Sequence, residues 1–371
     1  METLYLQPTQ LASPEVKSRV GKTTKRKKTQ KNILGFLSDY VDVRDRNQTT
    51  ILNTCQLEDV KRHRQLNELL GCRQKNIVNL HRINDIRRVN KFFEEINESL
   101  PQDGVFIGCV ETKALRKQRI LAKYPPVLNR MYYAADFIFK RIFPKIPILK
   151  NIYFNVTNGR NRVITSVETL GRLYSCGFKV VDLQRTPKLL FFIAKKVKSP
   201  DFNLEPSYGP LFRMKRIGKD GKIIRVYKMR TMHPYAEYLQ EYIYERNRLS
   251  EGGKFKDDIR VTTLGKMCRK FWLDELPMLL NLLKGEIKLV GVRPLSNHYM
   301  SLYTQELRDL RRAVKPGLIP PFYADMPKTL EDIMDSEIRY IRSYQQNPWK
   351  TDWQYLRKAC YNIFVKKARS Q

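Results

Sequence analysis

Two acids, Asp274 and Glu275, stand side by side in FWLDELPMLLNLLKGEIKLVGVRP, residues 271–294, against a run of leucines. A carboxylate pair beside an apolar wall is unfavourable unless something cationic meets it. Arg269 lies five residues before Asp274, and Arg293 follows the next apolar run. One reading is structural: Asp274 caps a helix and Glu275 favours its dipole. The other is chemical. Two adjacent carboxylates can share a divalent cation such as Mg2+, arginines can take phosphate, and a carboxylate can act as a nucleophile. The residues alone leave both open.

The elements around the pair follow from spacing. Leu273, Leu276, Leu279, Leu280 and Leu283 recur at three- and four-residue steps. They predict a helix from Asp274 with one buried apolar face. Pro277 is tolerated in its first turn, Gly285 ends it, and EIKLVGV reads as a short strand. Upstream, GPLFRMKRIGKDGKIIRVYKMRTM reads as strand, turn, strand, with KDG as the turn. One face of that hairpin is expected to carry Arg213, Arg216, Lys228 and Arg230. Downstream, residues 326–367 read as two amphipathic helices split near Asn347 and Pro348.

The rest of the chain sets the frame. Among 371 residues, 42% are hydrophobic, enough to bury sizeable cores. Lys plus Arg number 70 against 37 Asp plus Glu, an excess of +33 that favours polyanionic partners. Nucleic acid is not favoured among them, because the charge is spread and no recognition module is visible. The six cysteines form no CxxC pair and histidines number only four. That argues against a zinc ribbon and for reduced thiols in a cytoplasmic protein. No run is apolar and long enough for a spanning helix, and the N-terminus has no signal-peptide core. Residues 1–50 are expected as a basic tail. GKTTKRKK within it lacks the first glycine of a phosphate-binding loop.

Residues 51–197 are expected as an α/β module. KNIVNL, then a helical run, then GVFIGCVET gives a strand–helix–strand rhythm. A helix ending near Gly177 and two strands, FKVVDL and KLLFFIAKKV, follow. Over residues 75–197 this resembles the last third of a class I methyltransferase. No glycine-rich GxGxG loop lies upstream, so the module is read as non-catalytic. The basic aromatic stretch 127–154 is either a helix packed on the module or one lying in a membrane interface. Residues 198–208 read as a linker.

From residue 209 onward the chain resembles the bacterial sugar transferases, the monotopic polyprenyl-phosphate phosphoglycosyl transferases. The resemblance rests on GPLFRMKRIGKDG, YKMRTM, DIRVTTLG, CRKFWLDELPMLLNLLKGEIKLVGVRP and VKPGL, in order and spacing. It implies an α+β catalytic domain at 209–371, with the β-hairpin and amphipathic helices. It implies that Asp274 is the nucleophile towards a nucleotide-diphosphate sugar, with UMP leaving and a phosphosugar held on the carboxylate. The phosphate of a polyprenyl lipid would then take the phosphosugar. Glu275 would help Asp274 hold Mg2+. Arg269 and Arg293 would face the phosphates, and Arg216, Lys228 and Arg230 are further candidates for substrate binding. It implies work at the cytoplasmic face of the inner membrane, peripheral or monotopic, against an anionic membrane surface.

The chain departs from that family in four places, one of them Lys288, where the family usually has serine or a similar residue. The apolar re-entrant helix usual before GPxF is replaced by the FKVVDLQRTPKLLFFIAKKV hairpin and a polar linker. GPRP is GVRP, with Val292. IPPFYADMPK follows VKPGL where the family often has TG…Q. The alternative these departures support is an inactive scaffold within a polysaccharide assembly complex.

Overall fold

The computed structural model describes residues 33–71, 74–202, 209–247 and 258–366. Residues 1–32 of the expected tail and 203–208 of the expected linker lie outside them. Within the rest of the expected tail, Ile33–Ser38 is helical. Phe36, Leu37 and Val41 are buried against Val78, Ile107 and Phe191. The packed module therefore begins before residue 51.

The module is a mixed five-stranded sheet. Strands β1 (Thr49–Leu52), β2 (Asn76–Arg82), β3 (Val105–Val110), β4 (Phe178–Arg185) and β5 (Leu190–Lys196) stand in the order β1-β2-β3-β5-β4. The first three are mutually parallel, and β5 runs antiparallel to both β3 and β4. The helices Val89–Ser99 and Ser166–Ser175 bury apolar residues against it. Phe106 packs edge-on to Phe93 and Phe192 at centroid distances of 5.6 and 5.5 Å. That geometry suits the ring quadrupoles at the centre of this core.

In open α/β sheets, ligands use the crevice beyond the carboxyl ends of the strands. Here that position, past β3, is filled by side chains. Arg116, fully buried, donates to Asp136 Oδ2 at 2.6 Å, Glu111 Oε2 at 3.1 Å and Asn161 Oδ1 at 2.8 Å. The 127–154 stretch folds into the helices Leu128–Phe137 and Pro147–Thr157 with tight turns between. Its Asp136 anchors it to the module through Arg116, while Met131, Ile148 and Ile152 stay exposed.

The second half is built on a hairpin, β6 (Leu211–Ile217) with β7 (Ile223–Met229), and a parallel pair, β8 (Lys288–Val290) with β9 (Gly317–Ile319). The helices Leu330–Gln346 and Pro348–Phe364 cover the latter, and they divide at Asn347. Asn347 caps the second helix and Pro348 occupies its first turn, so the break follows from local chemistry. Tyr340 and Ile341 join Val290, Val292 and Leu307 in its core.

The halves meet at the helix Ser166–Ser175. A Cβ on Gly171 would lie 2.2 Å from the carbonyl oxygen of Tyr235, so only glycine permits this approach. Arg172 stacks over the Tyr235 ring at 4.4 Å, and Thr165 Oγ1 lies 3.2 Å from His233 Nδ1. Arg141 and Arg172 both donate to buried Glu168. Burial alone would raise the Glu168 carboxyl, but Arg141 and Arg172 reverse this and hold it well below the usual range. Burial, then Arg141, pushes His233 down to about 4.

Candidate active site

The acid pair is held by the hairpin. Residues pair as Phe212 with Lys228, Met214 with Val226 and Arg216 with Ile224, so these six share one face. Arg213 lies opposite Tyr227 on the other face and stacks on its ring at 5.6 Å. The single cationic face expected from the sequence is therefore divided, because residues 213 and 216 differ in parity. Arg216 and Lys228 stay together on the face that buries Val226 against Met278 and Ile287.

Beyond β7 the chain turns into the rest of the site. Met232 bridges Val261, and Thr262 donates through its N–H and its hydroxyl to the Thr231 carbonyl at 2.9 and 3.1 Å. Thr262 also caps the helix Thr263–Lys270 by accepting from Gly265 N at 2.8 Å. A Cβ on Gly265 would stand 2.0 Å from the Thr231 carbonyl oxygen. YKMRTM and DIRVTTLG are thus two sides of one close contact. The helix carries Arg269, whose Nε donates to Thr231 Oγ1 at 3.0 Å.

The chain then reverses. Trp272 takes a left-handed φ of +53°, costly for a bulky residue. Met229 N donates to the Asp274 carbonyl at 2.9 Å, which ties the acid to the end of β7. Lys228 Nζ donates to Glu275 Oε1 at 2.6 Å, and the two side chains are only 16% and 22% exposed. Burial raises the Asp274 carboxyl, and the Glu275 charge adds to the rise. Lys228, the residue's own backbone N–H and Arg269 work against it.

Two expectations are corrected here. Asp274 is not a helix cap. Residues 271–275 form turns, and Leu276–Met278 is a 3-10 turn leading into the short helix Leu279–Leu283. The residue before that turn is Glu275, with helical φ and ψ and no capping bond, whereas a cap needs extended backbone. Both carboxylates are thereby left for other partners. Nor are the leucines the buried face. Leu273, Leu276, Leu279, Leu280 and Leu283 are between 36% and 84% exposed. Met278 and Asn281, three apart, are the buried positions.

Asn281 was not singled out from the sequence. It is wholly buried, donates to the Arg225 carbonyl at 2.8 Å and accepts from Tyr227 N at 3.0 Å. It pins the short helix to the edge of β7 and so positions the acids. The available signal was an amide inside an otherwise leucine-rich run.

The structure brings Asp274, Glu275, Lys228 and Arg269 together. Arg216 forms a second group with exposed Arg293, four residues along β6 from the Lys228 partner, roughly 13 Å at strand rise. Burial and the Arg293 charge both lower the Arg216 pKa, so two guanidiniums face each other's field there. Arg311 donates to the Arg293 carbonyl and to buried Glu337, which fixes this loop. Arg230 belongs elsewhere. Its Nε donates to the Gly209 carbonyl at 2.9 Å, it stacks on Phe212, and burial is the main cause lowering its pKa, while the Glu237 and Glu168 charges act to raise it. It joins the contact between the halves.

Among the described residues no three His, Cys, Asp or Glu side chains converge as a metal site. The acid pair fits a hard cation in a different manner. Two carboxylates face one ammonium, and Asp274 is unfavourably desolvated beside Glu275. Mg2+ commonly takes one or two carboxylates and completes its shell with substrate phosphate and water.

The hairpin thus gathers the acid pair, Lys228 and Arg269 in one place and the Arg216–Arg293 pair in another. Residues 189–366, just under half of the chain, match the family described as bacterial sugar transferase. Sugar transferase EpsL of Bacillus subtilis is 39% identical over 35% of this chain and 55% of that protein. Galactosyl transferase CpsE of Streptococcus agalactiae is 34% identical over 37% of this chain and 31% of its own. The undecaprenyl-phosphate galactose phosphotransferase of Salmonella typhimurium is 36% identical over 30% of this chain and 24% of that protein. The chain thus spans about half or less of these relatives. An O-methyltransferase family 2 protein from Planctomyces limnophilus is 13% identical with a TM-score of 0.22, over 44% of this chain and 46% of that one. That likeness is too slight to define the fold.

Proposed function

We propose that the chain transfers a phosphosugar from a nucleotide-diphosphate sugar, a UDP-sugar, to a polyprenyl phosphate at the cytoplasmic face of the inner membrane. The observation that carries this reading is the half-buried acid pair, opposed by one lysine, inside the segment that matches the sugar transferase family. The names of relatives such as the Salmonella phosphotransferase support the substrate class. The product would start a surface polysaccharide or glycoconjugate.

Asp274 is the nucleophile. Its oxygen bonds to the phosphorus next to the sugar, and the phosphoanhydride bond to the nucleotide breaks. The nucleoside monophosphate leaves with the electron pair. An oxygen of the lipid phosphate then bonds to the same phosphorus, and the Asp274 carboxylate is released. Desolvation makes the Asp274 carboxylate more basic and so a stronger nucleophile. Lys228 fixes Glu275 and offsets its charge beside Asp274. Arg269 would neutralise the phosphoryl oxygens, and the Arg216–Arg293 pair would take a second phosphate. Asp274 with the free oxygens of Glu275 would hold Mg2+, which supplies charge neutralisation that lets a carboxylate approach an anionic phosphorus.

The test is incubation of purified protein and Mg2+ with UDP-sugars labelled at the sugar phosphate. Label on the protein with release of UMP, both lost in Asp274→Asn, is the expected result. No label and no UMP with any donor, from folded protein given membranes, would leave the scaffold reading in its place. The burial of Phe192, Ile193 and Ala194 in the sheet favours that second reading, since this segment stands where an apolar anchor would lie.

A further inference from the structure

The contact between the halves gathers more cations than it neutralises. The module supplies Arg141 and Arg172, both bonded to buried Glu168, and Lys145 from the tight turn Phe143–Lys145. The other half supplies Arg230, whose Nε donates to the Gly209 carbonyl at 2.9 Å. Lys145 comes to the same glycine, because a Cβ on Gly209 would lie 3.8 Å from the Lys145 carbonyl oxygen. Lys145 and Arg230 therefore flank Gly209 from opposite halves. Four cations act on one another here around a single buried carboxylate, since Glu237, the other acid near Arg230, is exposed. His233 adds no charge at neutral pH, because burial holds its pKa at about 4.

Lys145 is the group left over. Its half-buried ammonium has no hydrogen bond or ion pair among the described residues. Burial, then Arg141, bring its pKa down to about 7. Arg230 and Arg172 add to the fall, and the Glu168 charge opposes it. An ammonium withdrawn from water beside guanidiniums is unfavourable until an anion joins them.

We propose that a phosphate dianion binds at this contact and bridges Lys145 and Arg141 of the module to Arg230 of the other half. Guanidiniums meet phosphate oxygens with paired N–H donors, and an ammonium adds a point charge. The ligand class is the phosphate group, free or as a monoester. Arg230 directly precedes Thr231, whose Oγ1 accepts from Arg269 at 3.0 Å, so the anion would brace the strand end behind the acid site. The binding itself does not rest on the chemistry proposed at Asp274.

The test titrates the full chain with inorganic phosphate at fixed ionic strength and about pH 8, by calorimetry in two buffers of different ionisation enthalpy. The parent should bind saturably and take up most of a proton, as the anion restores the charge on Lys145. Lys145→Met should lose the proton uptake and weaken binding by about tenfold or more. Without phosphate its melting should match or exceed that of the parent, because Lys145 has no bond to lose. Arg293→Met should keep both the affinity and the uptake, which separates this site from the Arg216–Arg293 pair. A second arm replaces phosphate by glucose 1-phosphate. Tighter Lys145-dependent binding of the ester identifies a phosphate monoester as the ligand, weaker binding identifies free phosphate, and both support the site. Equal phosphate affinity in the parent and Lys145→Met would overturn the proposal, as would a parent that binds no phosphate. Lys145-dependent binding in a protein that takes no label at Asp274 would sink the proposed function and leave this site standing.

Discussion

Replacing Lys228 by Met separates the two roles assigned to the acid pair. The ammonium is 2.6 Å from Glu275 Oε1, and both groups are mostly withdrawn from water. A hydrogen bond to a charged group is worth roughly 1.5–3 kcal/mol, so Lys228→Met should destabilise the protein by about 1–2 kcal/mol after allowing for residual exposure. The divalent cation should respond in the opposite sense. A unit positive charge bonded to Glu275 would oppose a divalent cation held by the same acids, by roughly 1–3 kcal/mol in a half-exposed site. Screening reduces this, and binding should still tighten by about tenfold. Lys228 is also the foremost of the groups that hold the Asp274 carboxyl down. Without it the acid side of the rate profile moves to higher pH, because Asp274 is protonated sooner. Mn2+ titration by water-proton relaxation gives the affinity, and UMP release against pH gives the profile. An unchanged Mn2+ affinity would refute Glu275 and Asp274 as the cation's ligands. An unchanged profile would refute the electrostatic coupling of Lys228 to Asp274.

Asp274→Asn should abolish protein labelling and cut UMP release by about 10³-fold or more, while thermal melting holds or rises, since burial disfavours the ionised acid. Gly265→Ala should cost about 2 kcal/mol or more in chemical denaturation, because its Cβ would sit 2.0 Å from the Thr231 carbonyl oxygen. The contact between the halves should weaken on acidification. Burial holds the folded His233 pKa at about 4 against the ordinary 6.5, so the stability it contributes is complete above pH 6.5 and falls as the pH drops towards 4, by at most about 3 kcal/mol. The depressed Glu168 carboxyl extends the loss below pH 4.5, and denaturation of the parent and His233→Gln at pH 7 and pH 5 reads the difference.

The strands and the helices of the module were visible in the sequence because their periods are local. KNIVNL, GVFIGCV and the KDG turn each carry their own pattern, and the structure places β2, β3 and the β6–β7 hairpin there. Arg230 was misassigned for a local reason as well: β7 ends at Met229, so strand parity no longer governs the next residue. The turn before the acids was not readable. It depends on Trp272 adopting a positive φ, supported by an edge contact with Tyr323 from far along the chain. Without that turn in view, Asp274 and Pro277 have the composition of a helix start.

The leucines teach a sharper point. Period 3.6 shows that residues share a face, and Met278 with Asn281 satisfies the same period as Leu276, Leu279, Leu280 and Leu283. Which face is covered was decided by Asn281, whose amide satisfies the open edge of β7 at the Arg225 carbonyl and the Tyr227 N–H and also donates to Glu286. Burying a leucine there would leave both backbone groups unpaired, at roughly 1–3 kcal/mol each. The polar edge therefore selects the asparagine face, and the leucines are turned outward beside the acids. An amphipathic pattern reports an apolar phase on one side of the helix. It does not say whether that phase is the protein's core or a lipid leaflet.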